Sequence, residues 1–148
     1  MGSHSKCDFH FVLGNHDYYR STFRDVDIAV HEACAEAEGL HWLHEQSAEL
    51  SKATLLVGCN GWYDARFGNR ETDLQLTDFI RIGELFDAQD EGREALLTAC
   101  AERADANAAL LDDRLASLGT GIRNVIVATH VPPFQAAAWH AGKPSDET

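Results

Sequence analysis

Basic residues are scarce in this chain of 148 residues: 12 lysines and arginines face 24 aspartates and glutamates, for a formal net charge of −12. That field repels phosphate backbones and argues against general nucleic-acid binding. A phosphorylated substrate therefore needs local help, which a bound divalent metal supplies. No apolar run reaches the roughly 20 residues of a membrane span, so no membrane partner is expected. The N-terminus lacks a charged region followed by an apolar one, so it does not read as a signal peptide. Lys6 stands where a myristoylation signal wants Ser or Thr. The four cysteines, Cys7, Cys34, Cys59 and Cys100, form no Cys-x-x-Cys pair and so no zinc ribbon. Scattered reduced thiols in a cytoplasmic protein are the plain reading, because a core of this size needs no disulfide staple.

Hydrophobic residues are plentiful enough, at 45%, for a packed core rather than a disordered chain. There is no internal repeat, low-complexity tract or linker, so residues 1–148 read as a single domain. Phe9 to Leu13 is a short apolar run stopped by Gly14, the pattern of a buried strand entering a tight loop. Thr22, with Asp25 three residues on, marks a helix start. Val26, Ala29, Val30, Ala33 and Ala37 then recur at helical spacing up to Gly39. Leu40 to Leu43, Ala48 to Leu50 and Ala53 to Val57 suggest two or three short strands. A long loop rich in Gly, Asn, Asp and Arg covers Asn60 to Thr77. A helix follows around Phe79 to Phe86. A longer one runs from about Glu91 to Leu118, with Leu97, Ala101, Ala104, Ala108, Leu111, Leu115 and Leu118 as its inner stripe. Val125 to Ala128 is a last buried strand. The order strand, helix, strands, helices, strand implies an α/β fold.

Two loops can carry chemistry. Gly14-Asn15-His16-Asp17 directly follows the first strand, and strand ends in α/β folds present side chains into a crevice. Asn offers a neutral oxygen ligand, His a proton that titrates near neutral pH, and Asp a partner to orient that His. The same residue types also make ordinary turns. Thr129-His130-Val131-Pro132-Pro133 follows the last strand, and its two prolines hold Val131 and Pro132 extended. A stiff backbone suits a metal ligand, because little ordering is left to do on binding. A structural or surface role for His130 remains the alternative.

Taken in order, these two loops resemble two blocks of the calcineurin-like metallophosphoesterase family: a strand ending in Gly-Asn-His-Asp/Glu, and a later strand ending in a His followed by prolines. Tyr18 and Tyr19 fit the flank of the first block, and Val57 to Tyr63 (VGCNGWY) resembles the strand and loop between them. The resemblance runs over most of residues 9 to 140. It implies a sandwich of mixed β-sheet with flanking helices, and hydrolysis of a phosphorylated small molecule or other phosphoester at two divalent metals (Mn, Fe, Zn or Mg) bridged by a hydroxide. Under it, Asn15 and His130 are ligands to the second metal. His16 stabilises the transition state or protonates the leaving oxygen, and Asp17 orients His16.

The family's Asp-x-His and Gly-Asp blocks should precede this one, yet only 13 residues precede Gly14. Asp8-Phe9-His10 has the Asp-x-His spelling but lies on the strand leading into Gly14, so it reads as coincidence. The closing Gly-His-x-His block is missing as well. The expectation is an incomplete sandwich with an incomplete, weakly binding dinuclear site, a poor enzyme as a single chain. Uncovered sheet edges should favour self-association into a homo-oligomer.

Other features have a functional and a bland reading. Arg66 and Arg70, rare cations on the long loop, can contact substrate phosphate or simply pair with surface carboxylates. Trp62 and Tyr63 can stack on substrate or pack under the loop. His31, Cys34, His41 and His44 complete no cluster of zinc spacing. Three functions compete: a metal-dependent phosphoesterase, a catalytically silent module of the same lineage that binds a partner, and an unrelated α/β protein. The first two require Asn15, His16 and His130 to converge at strand ends.

Overall fold

The computed structural model describes residues 7–66, 75–140 and 142–144. It is an α/β chain. Strand β1 (Phe9–Phe11) leads through a 3₁₀ turn at Asn15–Tyr18 into helix α1 (Phe23–Glu36). Thr22 caps that helix, its hydroxyl accepting from Asp25 N at 3.0 Å. Gly39, expected as the helix stop, lies beyond the last helical residue and turns the chain with φ 84°. Strand β2 (Leu40–Trp42) then runs parallel to β1, with Phe9 opposite Leu40 and Phe11 opposite Trp42.

Strands β3 (Ala48–Ser51) and β4 (Thr54–Gly58) form an antiparallel hairpin. Strand β5 (Asn124–Ala128) pairs with β4 in parallel, from Thr54 opposite Asn124 to Gly58 opposite Ala128. The order β3-β4-β5 puts β5 at the edge, and Ile126 and Val127 on it are 50% and 46% exposed. A short hairpin of β6 (Trp139–His140) and β7 (Lys143–Pro144) follows.

Between β4 and β5 the chain makes helices α2 (Asp78–Arg81), α3 (Gly83–Glu91) and α4 (Arg93–Ala116). The sequence suggests one helix over 79–86; two form, broken at Ile82. That residue is fully buried, extended, and bridged to Ser21. Arg20 N donates to Arg81 O at 2.7 Å and Gly83 N to Ser21 O at 2.9 Å. Pairing with a distant segment outweighs local helical preference here.

The inner stripe of α4 is rotated from the expected one. Leu96, Cys100 and Asn107 are buried, with Arg103 and Arg114 half-buried on the same face, whereas Ala108 and Leu115 are exposed. The polar residues turn inward because strand ends leave backbone groups to satisfy. Arg114 donates to Leu43 O, to Gly58 O at 2.5 Å and to His44 O at 2.6 Å, so one guanidinium ties the exit of β2 to the end of β4. The core between the turn, α1, α3 and α4 is aromatic: Phe23 meets Tyr18 and Trp62 edge-on, each at 4.9 Å, and the Arg103 guanidinium lies 4.4 Å over the Phe23 ring. Among the described residues no helix is long and apolar enough to cross a membrane.

Candidate functional site

The loops that leave β1 and β5 are brought together by Asn60, which follows β4 and is 1% exposed. Its Oδ1 accepts from Leu13 N and from Trp42 Nε1, both at 2.9 Å, and its Nδ2 donates to Tyr18 Oη at 2.8 Å. Its backbone oxygen accepts from His130 N at 3.1 Å. Asn60 N in turn points at His44 Nδ1, 3.4 Å away, and burial holds the His44 imidazole below its usual pKa. One residue therefore sets the register of both loops. Asn60 lies within the VGCNGWY stretch, but nothing in that spelling marks it as the joint.

Gly61 makes the next turn with φ 73°, and a Cβ there would collide with Thr129 Oγ1. Asn107 Oδ1 accepts from Gly61 N at 3.1 Å and fixes this backbone. Gly14 is needed for a different reason: a Cβ on it would lie 2.7 Å from His130 Cε1. The imidazole is seated on the bare Cα of the first block.

In that seat His130 Nε2 lies 3.0 Å from Asn15 Oδ1, across 115 residues of sequence. Asn15 Nδ2 donates to Asp78 Oδ1 at 2.8 Å. Asp78, at the start of α2, is 4% exposed and also accepts from Tyr19 Oη at 2.7 Å and Tyr63 Oη at 3.3 Å. A carboxylate accepts only, so the amide must turn its nitrogen to Asp78 and its oxygen to His130. Burial and then the bond to Asp78 push the Tyr19 phenol up to about 12. Asp78 was not singled out from the sequence, where it falls between the long loop ending at Thr77 and the helix expected from about Phe79.

His16 is exposed, its ring 4.6 Å from that of Tyr19. The Asp17 carboxylate accepts from Gly14 N at 2.8 Å; it closes its own turn and does not hold the His16 ring. Arg66 is exposed and paired on both sides, with Asp64 at 2.7 Å and Asp105 at 2.6 Å. Those hydrogen bonds to Asp105 and Asp64 raise its pKa. Arg70 lies outside the described residues. Trp62 is buried against Phe23 and Tyr63, so it packs under the loop. His31 pairs with Glu45 at 2.8 Å and His41 stacks on His10 at 4.9 Å. Among the described residues no three His, Cys, Asp or Glu side chains gather to hold a metal ion.

No family model matches this chain, and neither a curated protein nor a solved structure matches it. The resemblance therefore stands on the two loops themselves.

Asn15, Asp78 and His130 border a groove of about 630 Å³. Trp62, Tyr63 and the Val131–Phe134 turn add apolar wall, and the paired Asp64, Arg66 and Asp105 add charge. An amide oxygen and an imidazole nitrogen 3.0 Å apart fit side by side on one divalent ion, whose bonds are about 2.1 Å. Both donors are neutral, and imidazole suits Zn, Fe and similar ions while the amide oxygen suits harder ones. The described residues thus supply two ligands to one ion. A hydrolytic site usually takes three or more.

Proposed function

We propose that this chain is a metallophosphoesterase-like module whose Asn15 and His130 form part of a divalent-metal site for phosphoric ester hydrolysis. The observation that supports this reading is the meeting of Asn15 Oδ1 and His130 Nε2 at 3.0 Å, from two strand-end loops that the sequence motifs name independently. On this reading the fold is an incomplete sandwich of mixed β-sheet with flanking helices. A bound divalent ion supplies Lewis acidity toward a phosphoryl oxygen and activates water. The chain's own residues do the rest. Asn15 and His130 bind the ion, and Asp78 keeps the Asn15 oxygen turned outward. His16, exposed one residue on, is free to hand a proton to the leaving oxygen. Asp17 holds the turn through Gly14 N. Arg66 already has two carboxylate partners, which leaves it a weak hold on phosphate.

The test is hydrolysis of an aryl phosphate with and without Mn²⁺, beside His16→Ala and His130→Ala. Mn²⁺-dependent turnover lost in both variants supports the reading. Turnover no higher than in the variants favours a catalytically silent module. Two observations favour that second reading: only two ligands are present among the described residues, and β5 offers exposed Ile126 and Val127 at a sheet edge, where a partner strand or a second copy can add.

A further inference from the structure

We infer that Asp78 is the positioning residue of the Asn15–His130 pair: its buried carboxylate decides which end of the Asn15 amide faces the groove. A side-chain amide can be turned over by half a rotation about its last torsion, exchanging a ligand oxygen for an NH₂ group that cannot bind a cation. Sterically the two orientations are nearly equal, so something must choose between them. In this structure the choice lies with Asp78 Oδ1, 2.8 Å from Asn15 Nδ2. Turning the amide over would set its oxygen against a carboxylate oxygen in a site that is 4% exposed, where like partial charges are poorly screened. It would also point NH₂ at His130 Nε2.

Asp78 is itself held from two other elements. Tyr19, from the turn that carries Asn15, donates to the same Oδ1 at 2.7 Å. Tyr63, from the loop after β4, donates to Oδ2 at 3.3 Å. The shorter Tyr19 bond shares Oδ1 with Asn15 and fixes that oxygen, while the longer Tyr63 bond on Oδ2 is a minor hold whose loss leaves Oδ1 against Asn15. Outer groups of this kind orient metal ligands and commonly change metal affinity by about tenfold to a hundredfold when removed. Nothing in the two loop motifs contains Asp78; it reaches the site only because α2 packs against the turn.

The experiment compares the unaltered chain with Asp78→Ala and Tyr63→Phe. Tyr63→Phe removes a donor from Asp78 but leaves the Asn15 bond intact, so it controls for loss of packing and stability. The first readout needs no metal. In NMR of the metal-free chain the Asn15 side-chain amide should show slowed solvent exchange, and a scalar coupling across the hydrogen bond to Asp78 Cγ. The slowed exchange should vanish in Asp78→Ala, and both signatures should persist in Tyr63→Phe. The second readout is Mn²⁺ affinity by titration, expected to fall about tenfold to a hundredfold in Asp78→Ala and to stay within about twofold in Tyr63→Phe. An Asn15 amide unchanged in Asp78→Ala, or equal affinity losses in both variants, overturns the inference. If Asp78→Ala does not fold, absence of the protected, coupled Asn15 amide in the unaltered chain overturns it alone. The affinity arm rests on the metal reading above. If the unaltered chain binds no Mn²⁺, that reading fails while the NMR arm still decides the role of Asp78.

Discussion

Replacing Asn60 by Leu isolates what one buried amide does for this fold. The substitution keeps side-chain volume close to constant, so it removes hydrogen bonds without leaving a large cavity. Two donors lose their acceptor: Leu13 N and Trp42 Nε1, both at 2.9 Å in buried surroundings. Each orphaned donor costs about 1–3 kcal/mol. Tyr18 Oη loses the Asn60 amide but keeps its bond to Asp27 at 2.9 Å and the Arg103 donor at 3.1 Å, so its share is small. The sum is roughly 2–6 kcal/mol, a large part of the 5–15 kcal/mol that holds a typical domain folded. Urea unfolding followed by tryptophan fluorescence reads this directly. With a slope near 2 kcal/mol/M, the midpoint should fall by about 2 M at unchanged slope. A double cycle with Tyr18→Phe should show a coupling of about 0.5–3 kcal/mol, because the two side chains share one network. A midpoint shift below about 0.3 M would refute the reasoning, since it would mean that water or a neighbour satisfies both donors once the amide is gone.

Three further outcomes are expected. Gly14→Ala puts a methyl where His130 Cε1 now sits at 2.7 Å, so the ring must leave; the chain should lose only about 1–3 kcal/mol, yet the His130 and Asn15 NMR signals should move and any Mn²⁺-dependent activity should fall steeply. The chain has three tyrosines and the fold raises all of them: burial is the main cause for Tyr18, Tyr19 and Tyr63, reinforced by Asp27 at Tyr18 and by Asp78 at the other two. The neutral phenol is the favoured form, so this stabilisation is complete below pH 10.0, the ordinary value, and for Tyr19 is lost as pH climbs through about 12; tyrosinate absorbance that rises normally around pH 10 in the folded chain would contradict it. Burial pushes the Cys100 thiol up to about 11 and that of Cys59 upward too, while Cys7 is exposed. Maleimide in mildly alkaline buffer should therefore label Cys7 at once and Cys59 and Cys100 only as fast as the chain opens.

The elements that could be read from the sequence are those whose signals are local. The Thr22 cap, the apolar run before Gly14 and the β4 and β5 strands each depend on residues within a few positions and form close to where their spelling puts them, but β1 stops at Phe11 and neither β1 nor β5 is the buried strand expected, since Phe9, Ile126 and Val127 are exposed. The break at Ile82 and the rotation of α4 are not local. Ile82 leaves the helix to pair with Ser21, and α4 turns Arg103, Asn107 and Arg114 inward to serve backbone groups and side chains contributed by other elements. Counting apolar residues cannot find a face that mixes Leu96 and Cys100 with Arg103, Asn107 and Arg114. At the site the same division holds. Asn15 and His130 are legible because each follows a strand in a motif, whereas Asp78 and Asn60 matter through partners 63 and 47 positions away in sequence.

His130 follows an edge strand of its sheet. One edge of β5 is paired to β4, while Ile126 and Val127 stand open to solvent and His130 begins just past the strand's last residue, Ala128. The opposite member of the pair, Asn15, is anchored in the aromatic core through its neighbour Tyr18. The two halves therefore differ in how often they open: the edge strand β5 should exchange its amide protons before the turn that carries Asn15. Whatever covers that edge raises the fraction of time His130 spends against Asn15, and its affinity for β5 and the ion's affinity for the pair become linked quantities, each strengthening the other by the same factor.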